Sequence, residues 1–294
     1  MSETTAGLRR KINSAQELQS VVRTMKALSA SNIGQYEQSV RALADYYRTV
    51  ALGLGACLRI SEPAGIMAEA RRKAEDAPVA AVVFGSDQGL VGRFNDVLVE
   101  HALKTLATLP VTARIWAVGE RVHARLADAG LSLMGVFVVP NSAKTIAPLV
   151  GRILLESELG DALGEGGQLH LFYNRPMAGA IYTPVGQRLL PLDETWRRGL
   201  VQLPWPTRNL PEPMGGGSAT LRALIREYVF VSLFRACAES LASENASRRA
   251  AMERADRNID ELLEQLRGDF HRLRQSGIDE ELFDVISGFE ASSA

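Results

Sequence analysis

The distribution of proline constrains the fold of this chain more than any other feature of its sequence. All 12 prolines lie between residues 61 and 217 of a chain of 294 residues. Proline removes a backbone donor and clashes within a helix, so long uninterrupted helices are favoured only in the two proline-free ends. We therefore predict three parts: an N-terminal helix over 1–60, a globular head over 61–217 and a C-terminal helix over 218–294.

Both proline-free ends carry apolar residues at seven-residue spacing. The repeat contains Leu8, Ala15, Val22, Tyr36, Leu43 and Val50 in the first end, and Leu224, Val231, Ala238, Met252, Ile259, Leu266 and Leu273 in the second. Such spacing is typical of helices that pack along each other. We predict helices from about Thr4 to Ile60 and from about Thr220 to Ser287, paired as an antiparallel coiled coil. Two independent helices in separate bundles are the alternative.

The two ends also have opposite charge. Residues 1–60 contain eight basic and four acidic side chains, whereas residues 218–294 contain ten and fourteen. We predict a register in which the numbers of paired residues add to about 300, which would place Arg23 and Lys26 beside residues 275–281.

Four polar residues occupy apolar-repeat positions of the second end: Arg235, Asn245, Arg249 and Asp256. Polar residues in such a seam either fix the register of the two helices or face a third surface around them. The second possibility would make the paired helices a shaft within a larger assembly.

The middle of the chain alternates between strand and helix patterns. The predicted strands are Val79–Phe84, Thr112–Val118, Leu131–Val138, Gln168–Tyr173 and Ala180–Leu190; the predicted helices are Phe94–Leu106, Glu120–Ala129 and Ile146–Leu159. This order is typical of βαβ units and a parallel sheet. We therefore predict an α/β fold, in which a Rossmann-like head is carried on the coiled coil and ends at the linker Pro204–Ser218.

Composition excludes several classes of function. A net charge of -1 gives no basic field for nucleic acid. No apolar stretch approaches the roughly 20 residues that span a bilayer, and the N-terminus lacks the pattern of a secretory signal, so we expect a cytoplasmic chain that does not cross a membrane. Cys57 and Cys237 lie far apart without a CxxC pair, and we expect buried, reduced thiols rather than a metal or redox site.

The turn after the first predicted strand is rich in glycine, but it does not match a nucleotide-binding motif. Its sequence, Gly85-Ser-Asp-Gln-Gly-Leu-Val-Gly92, has neither the GxGxxG spacing nor the GK[ST] of a P-loop. We interpret it as a tight turn in which Asp87 and Asn95 accept local backbone hydrogen bonds. No catalytic set, metal site or cofactor site is evident elsewhere. A nucleotide-binding sensor dimerised by its helices and a structural coiled-coil adaptor are the alternative functions.

Three segments resemble the gamma subunit of F-type ATP synthases. They are Lys11-Ile12-Asn13-Ser14 with Gln19, Arg23-Thr24-Met25-Lys26 and Ala30-Ser31; Ser86-Asp87, Gly89-Leu90, Gly92 and Asn95; and Ser243-Glu244-Asn245-Ala246 with Arg248, Ala251-Met252, Ala255, Asn258, Arg274-Gln275, Ile278, Glu281-Leu282 and Gly288. Glu17-Leu18-Gln19 and Ile278-Asp279 depart from the family pattern and favour a divergent branch. Sodium and proton coupling both stay open, because the membrane ring selects the ion.

The resemblance implies a non-catalytic rotor. Its coiled coil would turn inside a ring of alpha and beta subunits, and its head would contact the epsilon subunit and the membrane c-ring, at the cytoplasmic face of the plasma membrane. The resemblance also implies that Arg23, Met25, Lys26, Arg274 and Gln275 contact the catalytic subunits, and in the predicted register these five residues share one level. No cofactor is implied.

Overall fold

A computed structural model describes residues 4–60, 79–109, 113–156, 167–178, 180–192, 194–209, 211 and 218–292. Within these ranges the chain forms two long helices, a five-stranded sheet and several shorter helices. Residues 210 and 212–217 of the predicted linker, together with parts of the predicted helix Ile146–Leu159 and strand Thr112–Val118, lie outside the described residues.

The first and last elements are the two long helices that the proline-free ends predict. Helix α1 spans Thr5–Ile60 and helix α6 spans Ser218–Ser292. The heptad positions Leu8, Ala15, Tyr36 and Val50 of α1 and Val231, Ala238 and Met252 of α6 are buried. The apolar repeat therefore marks the packed face of each helix, as predicted.

The chain divides into two compact units, and each long helix contributes to both. The first unit combines residues 1–29 with residues 249–294, and the second unit contains residues 30–248. In the first unit, Gln19 bonds with both Asp256 and Asp260 of α6, while Lys26 reaches Asp256. In the second unit, Asn32 bonds with Asn245 and Tyr46 with Glu227. Both units thus contain an antiparallel helix pair, as predicted.

The register of the helix pair differs from the predicted one. The numbers of bonded residues add to 279 for Gln19 and Asp260 and to 277 for Asn32 and Asn245, rather than to about 300. Arg23 and Lys26 therefore lie beside Asp256 and not beside residues 275–281. The prediction was wrong because apolar heptads fit several registers that differ by whole turns, whereas the partly buried Asn32–Asn245 bond fits only one.

The second unit contains a mixed sheet in the order β3-β2-β1-β4-β5. Its strands are β1 Val79–Phe84, β2 Arg114–Val118, β3 Leu133–Phe137, β4 Gln168–Met177 and β5 Ala180–Leu190. The first four strands are parallel and β5 is antiparallel to β4. All six residues of β1 are buried, as a continuous apolar run in the centre of a parallel sheet predicts.

Helices cover both faces of this sheet. They are α2 Phe94–Leu106, α3 Glu120–Asp128, α4 Ile146–Glu156, which follows a 3-10 turn at Ala143–Thr145, and α5 Glu194–Val201. Helices α2 and α3 pack on one face, and the second unit's part of α1 and α6 packs with α4 on the other. Helix α5 was not predicted, because its eight residues are too few for a clear apolar period.

Candidate interaction surface of the terminal helices

Two of the five predicted contact residues form an ion-pair cluster in the first unit. Arg23 Nε lies 3.0 Å from Asp256 Oδ1, and a terminal nitrogen of Arg23 lies 3.6 Å from Asp260 Oδ1. Lys26 Nζ lies 3.9 Å from the other oxygen of Asp256. The Arg23 side chain is 57% exposed and that of Asp256 is 16% exposed. Arg23 therefore joins the two helices and still presents its guanidinium to solvent.

The charge of Asp256 is stabilised by these neighbours. Desolvation alone would raise the pKa of its carboxyl group, but hydrogen bonds from Arg23 and Gln19 and the charge of Lys26 lower it below its ordinary value. Because its carboxyl pKa is lowered in the folded chain, Asp256 stabilises the folded helix pair at pH values above the ordinary Asp pKa. This contribution is lost as the pH falls through the lowered pKa of Asp256.

Arg274 and Gln275 lie elsewhere on α6. They are 18 and 19 residues beyond Asp256, which is about 27 Å along a helix, so they are not level with Arg23, Met25 and Lys26. Both side chains are exposed, and in the part of the chain that the structure describes neither has a hydrogen bond or an ion pair. The predicted single level of five residues was therefore wrong, because it depended on the wrong register.

Apolar side chains are exposed next to both groups. Leu18, Val21 and Leu28 surround the half-buried Met25 on α1 at helical spacing, and Ile278, Leu282, Phe283, Val285 and Ile286 follow Gln275 on α6. Exposed apolar residues in such numbers on a helix pair are typical of surfaces that contact other proteins. Sequence analysis did not single these residues out as contacts, although an apolar stripe outside the heptad seam is a readable signal.

The four polar residues of the second apolar repeat have two different roles. Asn245 bonds with Asn32 and Asp256 with Arg23, so these two residues fix the register. Arg235 and Arg249 are exposed instead, and Arg235 Nε donates to Glu239 Oε1 at 2.7 Å. The first possibility is therefore realised at Asn245 and Asp256, whereas the second stays a prediction for the exposed Arg235 and Arg249.

The glycine-rich turn is a closed structural turn, as the sequence predicts, but the donors to Asp87 come from distant segments of the chain and not from local backbone. Asp87 accepts hydrogen bonds from the backbone N–H of Glu120 at 3.0 Å and of Val139 at 2.9 Å. Asn95 accepts from the Ser86 N–H and donates to the Ser86 hydroxyl. Phosphate groups bind to free N–H groups at the first turn of a helix in doubly wound folds, but here Asp87 already occupies the N-terminus of α3.

Residues of the C-terminal signature are buried within the second unit. Ser243 donates to the Asn174 carbonyl at 3.0 Å, and Glu244 accepts a hydrogen bond from Arg248 at 2.7 Å. Burial raises the pKa of Glu244, whereas the charge and hydrogen bond of Arg248 oppose that shift. Ser243 therefore ties α6 to the head, whereas the bond between Glu244 and Arg248 lies within α6.

The two cysteines are buried and free, as expected. Burial raises the pKa of the Cys57 and Cys237 thiols, with the charge of Glu244 adding to the shift at Cys237.

Among the described residues no group of His, Cys, Asp or Glu has an arrangement that could hold a metal ion. None of the described helices combines the length and the apolarity that a bilayer crossing requires.

Solved structures of ATP synthase rotors and central stalks have the same fold as this chain. The rotor of the mitochondrial ATP synthase of Euglena gracilis matches over 93% of this chain and 98% of its own, with 16% identity and a TM-score of 0.60. The central stalk and c-ring structure of the Tetrahymena thermophila enzyme matches over 80% of this chain and 99% of its own, with 21% identity and a TM-score of 0.55. The fold is thus that of a central-stalk protein.

Sequence comparisons identify the family. The ATP synthase family model matches residues 4–291. The ATP synthase gamma chain of Clavibacter sepedonicus is 30% identical over 96% of this chain and 95% of its own, and that of Leifsonia xyli is 27% identical over 97% of each. The chain belongs to the ATP synthase gamma-chain family. It is accordingly a non-catalytic subunit of the F1 central stalk.

Proposed function

We propose that this chain works as the rotor by passing rotation between a ring of alpha and beta subunits and a membrane c-ring, with an epsilon subunit bound to its head. The helices of the first unit enter the ring, and the head of the second unit binds the c-ring at the cytoplasmic face of the plasma membrane. The observation that carries the proposal is membership of the gamma-chain family over residues 4–291.

The surface of the first unit supports a role inside a ring of larger subunits. Apolar side chains on α1, the exposed guanidinium of Arg23 and the exposed pair Arg274 and Gln275 give different sides and levels of the helix pair different chemistry. Two partner subunits that contact different sides of the helix pair are stabilised in different conformational states. Coupling by differential contact requires this difference. A rotor that turns would present these sides to each catalytic subunit in succession.

We assign the contacts to the catalytic subunits to two levels of the helix pair. Arg23, Met25 and Lys26 form one level, where Asp256 holds both cations in place. Arg274 and Gln275 form the other, where both side chains are free to donate hydrogen bonds to carboxylate or carbonyl groups of a moving partner. A contact made by Arg274 or Gln275 does not require an ion pair within the chain to break first. We therefore expect these contacts to form and break at each step of rotation.

Substitution of Arg274 and Gln275 tests this assignment. We expect the Arg274→Ala/Gln275→Ala variant to assemble normally, because both side chains are exposed and unbonded among the described residues, but to lower ATP synthesis and ATP-driven ion pumping in membrane vesicles. The control is Arg125→Ala, which removes an exposed ion pair with Asp96 on the head and should change neither rate. Parental pumping by the assembled double variant would contradict the contact role.

Co-purification tests the partners. An affinity-tagged chain expressed in its own cells should bring down alpha, beta and epsilon subunits with the c-ring from detergent-solubilised membranes. Recovery of the chain alone, or with a different set of proteins, would contradict the proposed rotor and would favour the structural adaptor.

A further inference from the structure

One face of α6 donates three buried hydrogen bonds to the backbone of the head. The Ser240 hydroxyl donates to the Phe84 carbonyl at 2.9 Å, the Ser243 hydroxyl to the Asn174 carbonyl at 3.0 Å, and the Ser247 hydroxyl to the Val91 carbonyl at 2.6 Å. The spacing of three and four residues places all three serines on one side of the helix. We call these three residues the serine seam.

The serine seam differs from the other helical hydroxyl groups of this unit. A serine or threonine within a helix usually bonds with the carbonyl four residues earlier in the same helix. Ser39, Thr49 and Thr105 follow that rule, with bonds of 2.9 to 3.0 Å to Gln35, Asp45 and His101. Each hydroxyl of the serine seam instead bonds across a tertiary contact. The seam therefore ties α6 to the head and does more than satisfy local polar groups.

The acceptors of the serine seam lie at a functionally important edge of the sheet. Phe84 ends β1, Asn174 is in the second half of the parallel strand β4, and Val91 is in the turn that follows β1. Open α/β sheets normally bind their ligands outside the carboxyl ends of these strands. Here α6 covers that region with small side chains, while Asp87 fills the adjoining helix N-terminus. Helix α6 of the chain itself therefore occupies the region where open α/β sheets normally bind a ligand.

A charged contact strengthens the same junction. Arg175 Nε on β4 donates to Glu239 Oε2 at 2.9 Å, and the Glu239 side chain is buried one residue before Ser240. Bonds along a buried seam have fixed direction, unlike the apolar contacts around them, so they resist sliding and twisting of the helix against the sheet.

We propose that the serine seam is the torque junction of the rotor, the place where twist passes between α6 and the head. The proposal rests on the proposed function, because only a rotor carries torque between its shaft and its head. Ser240, Ser243 and Ser247 are positioning residues in this role and contact no partner subunit. Removal of the hydroxyls takes the serine donor away from three buried carbonyl groups, of which Val91 still accepts from the Phe94 N–H, and makes the junction more compliant.

The test measures the torsional stiffness of the rotor in the assembled ATP synthase. The complex is immobilised by its beta subunits without nucleotide, and a probe is attached to a cysteine that replaces the exposed Asp128 on the head. We expect a wider angular distribution of the probe for Ser240→Ala/Ser243→Ala/Ser247→Ala than for the parent. The matched control, Ser39→Ala/Thr49→Ala/Thr105→Ala, removes three hydroxyls with local bonds and should match the parent.

Equal angular widths for the seam variant and the control would overturn the proposal. If the triple variant does not assemble, the single variant Ser247→Ala, which removes the shortest of the three bonds, takes its place with the same criterion. Failure of the parental chain to join an ATP-hydrolysing ring would instead refute the proposed function. A normal parental complex with an unchanged seam variant would refute the torque junction alone.

Discussion

At the scale of single residues, the backbone conformation of Gly119 and the burial of His170 explain why a glycine and a histidine occupy these two positions. Gly119 has φ +115°, and a Cβ atom there would lie 2.6 Å from the Ser86 carbonyl oxygen. His170 is buried on β4 and its ring stacks near that of Phe172. Gly119 maintains the sheet edge on which the glycine-rich turn is built, whereas His170 lies in the first half of β4 and pairs with Ala81 of β1.

Gly119 should not tolerate a side chain. We expect Gly119→Ala to lower the free energy of unfolding by about 2 kcal/mol or more, because the new methyl group clashes with backbone and the φ angle is unfavourable. Gly130→Ala is the matched control, since φ there is +81° but no atom lies within 4 Å of the added Cβ. Chemical denaturation of both variants checks this. Equal losses would show that the close approach to Ser86 has no energetic importance.

His170 should make the stability of the protein depend on pH. Burial, followed by the charge of Arg188, lowers the pKa of its ring below the ordinary value of about 6.5. A lowered His pKa means that the unfolded chain binds the proton more readily, so stability is complete above about pH 6.5 and is lost as the pH falls through the lowered pKa. Denaturation at pH 7.5 and pH 5 should show a smaller difference for His170→Gln than for the parent. An unchanged difference would contradict the assignment.

At the scale of elements, proline distribution and apolar periodicity predict most of the fold. Helices α1 and α6, strand β1 and helix α2 agree with their predicted bounds to within a few residues, because the helices have a clear apolar period and β1 is a continuous apolar run. The register did not follow from the apolar period, since the partly buried polar pair Asn32 and Asn245 decides among registers. The serine seam was not foreseen either, because nothing local indicates which carbonyl a helical hydroxyl will reach.

Cysteine cross-linking within the first unit tests the register directly. Gln19→Cys/Asp260→Cys should form a disulfide under mild oxidation more readily than a pair in the predicted register, because the Gln19 and Asp260 side chains meet across the two helices. Gln19→Cys/Glu281→Cys, whose numbers add to 300, should not. The two native cysteines are buried and should not interfere. Preferential formation of the second disulfide would contradict the described register.

At the scale of the whole molecule, the chain has the parts of a rotor and lacks a free phosphate cradle in the described head. The family is readable from short motifs, and the structure gives many of those motif residues internal roles: Asp87 closes the turn, Asn245 fixes the register and Ser243 joins the serine seam. The proposed contacts of Arg23, Met25, Lys26, Arg274 and Gln275 also rest on motif positions, but their role depends on the surfaces of other chains.

The most direct test of the rotor is observation of rotation. A probe on the head is followed while the complex, immobilised by its beta subunits, hydrolyses ATP. The account predicts continuous rotation of the probe in one direction that requires ATP and stops when the nucleotide is removed. A probe that stays fixed while the same complex hydrolyses ATP at the parental rate would contradict it.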